Sequence, residues 1–220
     1  MSSTTQVKLQ CPHCGNTGLV DIYKTVNVSI DPVLRQKVIS GSLNILKCEK
    51  CANETIVNAP VLYHDMKHLF MIQYDFTIQG RIIPKSFENL PFLKGMLGQN
   101  YKLRWVLTYE TLLEKILILE SDADDRLVEI LKSEIEPSIE GYPDPKSQLQ
   151  FSKLKKKDSQ SYVNFMTPLF PDSLFTPEYS LEQIHEEFGT YLDSPNDNLW
   201  LLVDRVYAKQ VQERKQEENI

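Results

Sequence analysis

Hydrophobic and polar positions change period several times along the chain, and each change marks an element. Leu19 to Val28 is rich in Val, Ile and Tyr and reads as a strand. Asp31-Pro32 then opens a helix, with Asp at the N-cap and Pro at the first helical position, where its missing N–H costs nothing. Leu34 and Val38, four apart, form its apolar stripe, and Gly41 stops it. Leu43 to Lys47 returns as a strand. Glu54 to Leu62 and Leu69 to Phe76 alternate as two more, joined by the turn His64-Asp65-Met66-Lys67-His68. Gly80 to Gln99, broken by Pro84, Pro91, Gly95 and Gly98, reads as a surface loop, and Leu103 to Leu107 as a further strand.

Two helices follow. Thr108 or Thr111 caps the first, whose apolar face is Leu112, Leu113, Ile116, Leu117 and Leu119. Asp122 caps the second, with Asp125 in an acidic first turn that suits the helix dipole. Leu127, Val128, Ile130, Leu131 and Ile135 make its stripe. The short link from Glu120 to Asp122 sets the two side by side and antiparallel.

Beyond Pro137 the texture changes. Residues 137–148, with Pro137, Gly141, Pro143 and Pro145, read as a linker. Leu149 to Leu154 and Tyr162 to Met166 then form a hairpin around Lys155-Lys156-Lys157-Asp158. Pro168, Pro171 and Pro177 keep the next stretch irregular. Ser180-Leu181-Glu182-Gln183 is a capping box that opens a helix to Phe188. Leu199 to Val203 reads as a strand and Arg205 to Gln216 as a helix. The organisation predicted is a flexible lead-in over 1–10, with a strand starting near Val7, and a principal domain over 11–136. A linker over 137–148, a C-terminal extension over 149–208 packed on the first domain and a charged tail over 209–220 complete it. The class is α+β: a zinc-ribbon-like N-terminal element, an antiparallel sheet and two packed antiparallel helices.

The chemistry lies in the cysteines. The chain's four cysteines fall into Cys11-Pro12-His13-Cys14-Gly15 and Cys48-Glu49-Lys50-Cys51. Two C-x-x-C pairs with no cysteine left over form a four-thiolate set, which suits a structural Zn²⁺ at one per chain. Cys11, Cys14, Cys48 and Cys51 are the expected ligands, and His13 points to solvent. The competing readings are redox chemistry, disulfides and iron–sulfur. Redox use of the first pair would want a helix after it, and Gly15-Asn16-Thr17-Gly18 is a turn. Disulfides fit poorly because residues 1–10 lack the apolar core of a secretory segment. A closed four-thiolate site leaves no open coordination position, so it holds structure and does not activate water.

Charge and composition narrow the class. With 220 residues, 41% of them hydrophobic, the chain can bury a sizeable core. No apolar run approaches a membrane span. Reduced cysteines then imply the cytoplasm. A formal net charge of -6 argues against general nucleic-acid binding. The acidity concentrates in 104–140, which holds ten acidic against four basic side chains.

The first knuckle, then Val26-Asn27-Val28-Ser29-Ile30-Asp31-Pro32, then Ser40-Gly41-Ser42-Leu43 leading into the second knuckle, resembles the CpXC domain family. Leu62-Tyr63-His64-Asp65 continues the likeness, as do Glu114-Lys115-Ile116 and Asp124-Asp125-Arg126-Leu127-Val128-Glu129. Glu49 stands where the motif's proline would be in the second pair. The resemblance implies a prokaryotic cytoplasmic domain with metal-binding cysteines and carries no established reaction.

The leading functional expectation is a binding or interaction module stabilised by zinc, with a protein partner or small ligand. The alternative is a hydrolase- or transferase-type enzyme using His64 and Asp65 with Asp124, Asp125 and Arg126. The second alternative is a nucleic-acid-binding zinc ribbon using Lys8, Lys47 and Lys50. Against each candidate stands a plainer role: His64 to His68 as an exposed turn, Asp124-Asp125-Arg126 as an acidic helix start with a local ion pair, and Lys153, Lys155, Lys156 and Lys157 as a solvated hairpin. Tyr101, Trp105 and Tyr109 read as a core stripe, and His185 has no identifiable partner.

Overall fold

The computed structural model describes residues 1–78, 81–84, 100–139, 141–142, 144, 148–168, 170–193 and 200–218. Contacts divide the chain into two units, Met1–Leu113 with Asn198–Trp200, and Glu114–Asp197 with Leu201–Ile220. The division falls inside a helix and not at the Pro-rich 137–148 stretch. The loop expected over Gly80 to Gln99 lies mostly outside the described residues.

In the first unit, β1 (Ser3–Gln10) and β2 (Thr17–Asn27) form an antiparallel hairpin with the first cysteine knuckle at its tip, Gln10 opposite Thr17. The lead-in is therefore a full strand. Its polar side chains carry little apolar signal, and its order comes from pairing along β2. Helix α1 (Pro32–Ile39) follows. Asp31 occupies the N-cap position, but its side chain makes no capping bond and accepts instead from the Ser2 hydroxyl. The C-terminus closes as expected. Gly41, at φ +69°, donates from its N–H to the Val38 carbonyl (3.0 Å), and Ser42 donates to the Lys37 carbonyl (2.8 Å). This is the paired-bond helix ending that needs a left-handed residue after the cap.

Strands β3 (Ile45–Lys47) and β4 (Glu54–Ile56) make a second, shorter hairpin with the second knuckle at its tip. The run expected from Glu54 to Leu62 is split. Val57 to Pro60 breaks it, and β5 (Val61–Asp65) joins a different sheet. Pro60 has no N–H to continue a ladder. With β6 (Phe70–Tyr74) and β7 (Lys102–Val106) the main sheet has the order β1-β2-β5-β6-β7.

That sheet is mixed, a correction to the antiparallel expectation. β2 runs parallel to β5 and β6 parallel to β7, while β1–β2 and β5–β6 are antiparallel. A parallel neighbour needs a long crossover, which α1 and the β3–β4 hairpin supply between β2 and β5. Alternation within a strand carries no information about its neighbour's direction. All five residues of β6 are buried, so this strand is covered on both faces. Trp105 of β7 meets Trp200 edge-on at 6.0 Å.

Helix α2 (Tyr109–Glu120) starts at Thr108, whose hydroxyl oxygen accepts from the Thr111 N–H at 3.1 Å. Helix α3 (Asp125–Ile135) is capped by Asp124, not Asp122. Asp122 sits at φ +60° in the link, a left-handed conformation that aspartate tolerates. The second unit's core gathers Ile118 with α3, then β8 (Gln150–Lys157), β9 (Gln160–Thr167), α4 (Leu181–Phe188) and α5 (Arg205–Glu218). The β8–β9 turn is Asp158-Ser159, both at positive φ, so Lys153 to Lys157 lie along the strand and not at its tip. The stretch expected to stay irregular pairs as β10 (Phe170–Phe175) on β9. The capping box at Ser180 and Gln183 is present with both bonds. The described part of the strand expected at Leu199 to Val203 makes only an isolated bridge at Leu201. Asp204 then caps α5 through Val206 and Tyr207.

Candidate metal centre

Each cysteine pair sits where a hairpin must reverse. Cys11 donates its N–H to the Asn16 carbonyl (2.7 Å) and accepts from the Gly15 N–H (2.9 Å). Cys48 repeats both bonds with Asn53 (2.9 Å) and Ala52 (2.8 Å). The two knuckles are thus one structure built twice. The residue after the second cysteine is left-handed in both: Gly15 at φ +71°, Ala52 at φ +58°. Glu49, the departure from the motif, leaves the turn geometry intact.

The hairpins bring all four sulfurs within 4.8 Å of one another. Cys11 Sγ is 3.8 Å from Cys51 Sγ, and Cys14 Sγ is 3.5 Å from Cys48 Sγ. A tetrahedral ion with metal–sulfur bonds of about 2.3 Å needs sulfurs about 3.8 Å apart, so the cage fits. All four thiols are free, and no helix follows the first pair, so neither the disulfide nor the redox reading describes this arrangement. Among the described residues this is the one such gathering of His, Cys, Asp or Glu side chains.

The surroundings favour thiolates. The Cys51 N–H brings the Cys48 thiol down to about 6 against its burial, helped by the Lys50 N–H and the neighbouring sulfurs. Cys51 is lowered by the Asn53 N–H, again against burial, and the Asn53 side-chain amide adds a 3.4 Å bond to its sulfur. Cys14 goes the other way, to about 11. The Asn16 N–H pulls it down, but burial and the Cys48, Cys51 and Cys11 sulfurs outweigh that pull. Four crowded sulfurs cannot all be charged without a cation among them. Beneath the cage Val20, Ile22 and Leu46 form a small apolar cluster with buried Cys11 and Cys48.

The other candidate residues have structural partners. Asn27 and His64 face each other across the parallel β2–β5 pair. The Asn27 side-chain oxygen accepts from the Ser29 and Ile30 N–H groups, so its amide N–H₂ faces His64 Nδ1 at 3.3 Å. His64 Nδ1 is then the acceptor, and Nε2–H donates to the Tyr101 hydroxyl at 3.1 Å. Burial and the positive chain terminus hold His64 below its ordinary value, against Asp65. Buried Asp65 organises the β5–β6 turn. It accepts from the Lys67 N–H (2.8 Å), the His68 N–H (3.1 Å) and the His68 ring (2.7 Å). Burial pushes its carboxyl up, and these bonds overcome that push. His64 and His68 therefore serve different partners.

Asp124, Asp125 and Arg126 belong to the second unit, whereas His64 and Asp65 belong to the first. Arg126 forks onto Asp124 (Nη2 to Oδ2, 2.6 Å) and donates to the Asp193 carbonyl (2.6 Å). Asp125 is fully buried, 3.4 Å from the equally buried Lys115. Lys115 also donates to Glu129 at 3.0 Å. Lys132 bridges Glu129 (3.2 Å) and Glu114 (2.6 Å). The sequence reading did not find this buried ionic cluster. Its signal was the pair of blocks Glu114-Lys115-Ile116 and Asp124 to Glu129, which the antiparallel helices bring together. The basic residues of the ribbon reading are on the hairpins, and Lys47 there pairs with Glu54 at 3.4 Å. Among the described residues no helix is long and apolar enough to cross a membrane.

A family model described as CpXC protein matches residues 9–132. No curated protein and no solved structure matches the chain.

Proposed function

The chain belongs to the CpXC family, and on that premise we propose that it is a zinc-stabilised binding module whose Cys11, Cys14, Cys48 and Cys51 hold one structural Zn²⁺. The observation that carries the reading is the sulfur cage: four thiols within 4.8 Å, supplied by two equivalent knuckles. Such an ion contributes charge neutralisation and a cross-link and, with four sulfur ligands, no site for a substrate. Zinc binding at small cysteine sites is worth on the order of 10–16 kcal/mol, comparable to the roughly 5–15 kcal/mol net stability of a whole domain. The ion therefore decides whether the two hairpins stay closed. A reducing compartment such as the cytoplasm keeps the thiols available to it.

What the module binds is a protein partner or a small ligand. The net charge of -6 weighs against nucleic acid. The enzyme alternative draws no support from its own residues, because Asp65 is spent on a turn and Arg126 on Asp124. The test is elemental analysis of the purified protein with a thiol count before and after chelation. About one zinc per chain, released together with four reactive thiols, is the expected result. Iron in its place, or four reactive thiols without metal, would sink the reading.

A further inference from the structure

A pocket of about 230 Å³ opens in the first unit between the residues that lead into β3 and those that leave β4. Gly41, Leu43 and Asn44 form one wall, Ile56 to Ala59 another, and Val61 and Tyr109 complete it. Its lining is mainly apolar. The pocket owes its shape to features already described. Gly41 is present because the end of α1 needs a left-handed residue, and a Cβ there would meet nothing within 4 Å. Tyr109 is held by its hydroxyl, which donates to the Val38 carbonyl at 2.6 Å. The break that separates β4 from β5 begins at Val57 and supplies most of the other wall.

Asn44 makes this more than a gap. It is 5% exposed, and its Oδ1 accepts from the Tyr23 backbone N–H at 2.9 Å. That bond fixes the amide, since a backbone N–H can only meet the oxygen. The Nδ2 group is left as a donor, and it has no acceptor among the described residues. That donor keeps access to water, so a ligand oxygen would take a water's place on it. A second carboxamide, Asn58, stands at the same wall, with Oδ1 accepting from the Tyr74 hydroxyl at 2.8 Å. No charged side chain lines the pocket, so an ionised ligand would be stripped of water without a counter-charge.

We propose that this pocket binds a small neutral molecule that joins a compact apolar body, about one ring in size, to a carbonyl oxygen accepting from Asn44. Its volume lies below the roughly 300–1,000 Å³ of drug-sized sites, which sets the size of the body. The inference rests on the binding-module reading and gives that module a ligand class.

The test uses the full-length, metal-loaded protein, with metal content measured in every sample. Acetophenone is titrated against ethylbenzene, which has nearly the same shape and no carbonyl, while side-chain NMR signals of Val57, Ala59, Val61 and Asn44 are followed. Acetophenone should shift these signals and bind about threefold to tenfold more tightly than ethylbenzene, the worth of one neutral hydrogen bond. Ala59→Leu, which fills the space, should abolish both. Asn44→Asp keeps the acceptor for Tyr23 and removes the donor, so it should erase the preference for acetophenone and spare ethylbenzene. Should Asn44→Asp fail to fold, the ligand pair and Ala59→Leu decide the matter alone. No shift at these residues, equal binding of the two probes, or unchanged binding to Ala59→Leu overturns the proposal. With zinc still in place, that failure leaves the module reading standing with a protein partner; a failure of metal content strikes the module reading itself.

Discussion

Replacing Lys115 by Met should destabilise the protein strongly, and by an amount that depends on pH. The ammonium is fully buried and lies 3.0 Å from a Glu129 oxygen and 3.4 Å from an Asp125 oxygen. The cluster sets two lysines, Lys115 and Lys132, against three carboxylates, Glu114, Asp125 and Glu129. Met keeps the side-chain length and apolar stem, so packing changes little, but one cation now faces three anions away from water. Breaking a buried pair from one side typically costs about 3–5 kcal/mol, and we expect that range at pH 7.5.

The pH dependence follows from Glu129. Burial pushes its carboxyl up, but Lys115 and Lys132 overcome this and hold it below the ordinary value. In the native protein the resulting stability is present above the unfolded value of 4.5 and is lost only as pH falls below it. Without Lys115 the burial effect is less opposed, so Glu129 takes up a proton in the folded state more readily. The variant should then lose stability as pH rises from about 5 to 7.5, and its deficit at pH 5 should be smaller by about 1 kcal/mol or more. Urea denaturation followed by far-ultraviolet circular dichroism at the two pH values measures this. Adding Glu129→Gln to the variant should recover part of the loss. A deficit under about 1 kcal/mol, or one equal at both pH values, would refute the view that these charges depend on one another.

Three further outcomes are expected. Cys48→Ser should lower metal content well below that of the native protein and unfold the two knuckle hairpins, visible as lost dispersion of the Val20, Ile22 and Leu46 NMR signals; retained zinc with native signals would contradict the four-sulfur site. Ala52→Gly should raise the stability of the metal-loaded protein by about 1 kcal/mol by thermal denaturation, because Ala52 holds φ +58° where Gly15 holds φ +71°. The reciprocal Gly15→Ala should cost a similar amount, since its Cβ would meet only Gln10 Nε2, at 3.6 Å. His64 is held below its usual 6.5 chiefly by burial, so its contribution to stability is present above about pH 6.5 and is lost as pH falls; His64→Gln should flatten that fall between pH 5 and 6.5, and an unaltered slope would show that His64 does not titrate with folding.

The elements that local chemistry dictates were legible in the chain. Gly41 announced the end of α1, Ser180 and Gln183 announced α4, and the 3.6-residue stripes from Leu112 to Ile135 announced α2 and α3. The cysteine knuckles were legible for the same reason: the spacing within each pair is a local property of the turn. Misreadings arose where a distant partner decides. Ser3 to Val7 has no apolar face of its own and becomes a strand because β2 lies beside it. Phe170 to Phe175 becomes a strand on β9 despite Pro171. Asp122 yields the cap to Asp124 because the link, left-handed at Asp122, starts the helix two residues later.

By itself, then, the sequence determined the α+β class, the two cysteine knuckles and most helix boundaries, because each depends on residues a few positions apart. The tertiary structure alone decided which strands run parallel, which lysines and carboxylates are buried together, and which faces enclose a pocket. Those depend on groups far apart in sequence, such as Asn27 with His64 and Lys115 with Glu129, whose interaction is strong only once folding removes the water between them.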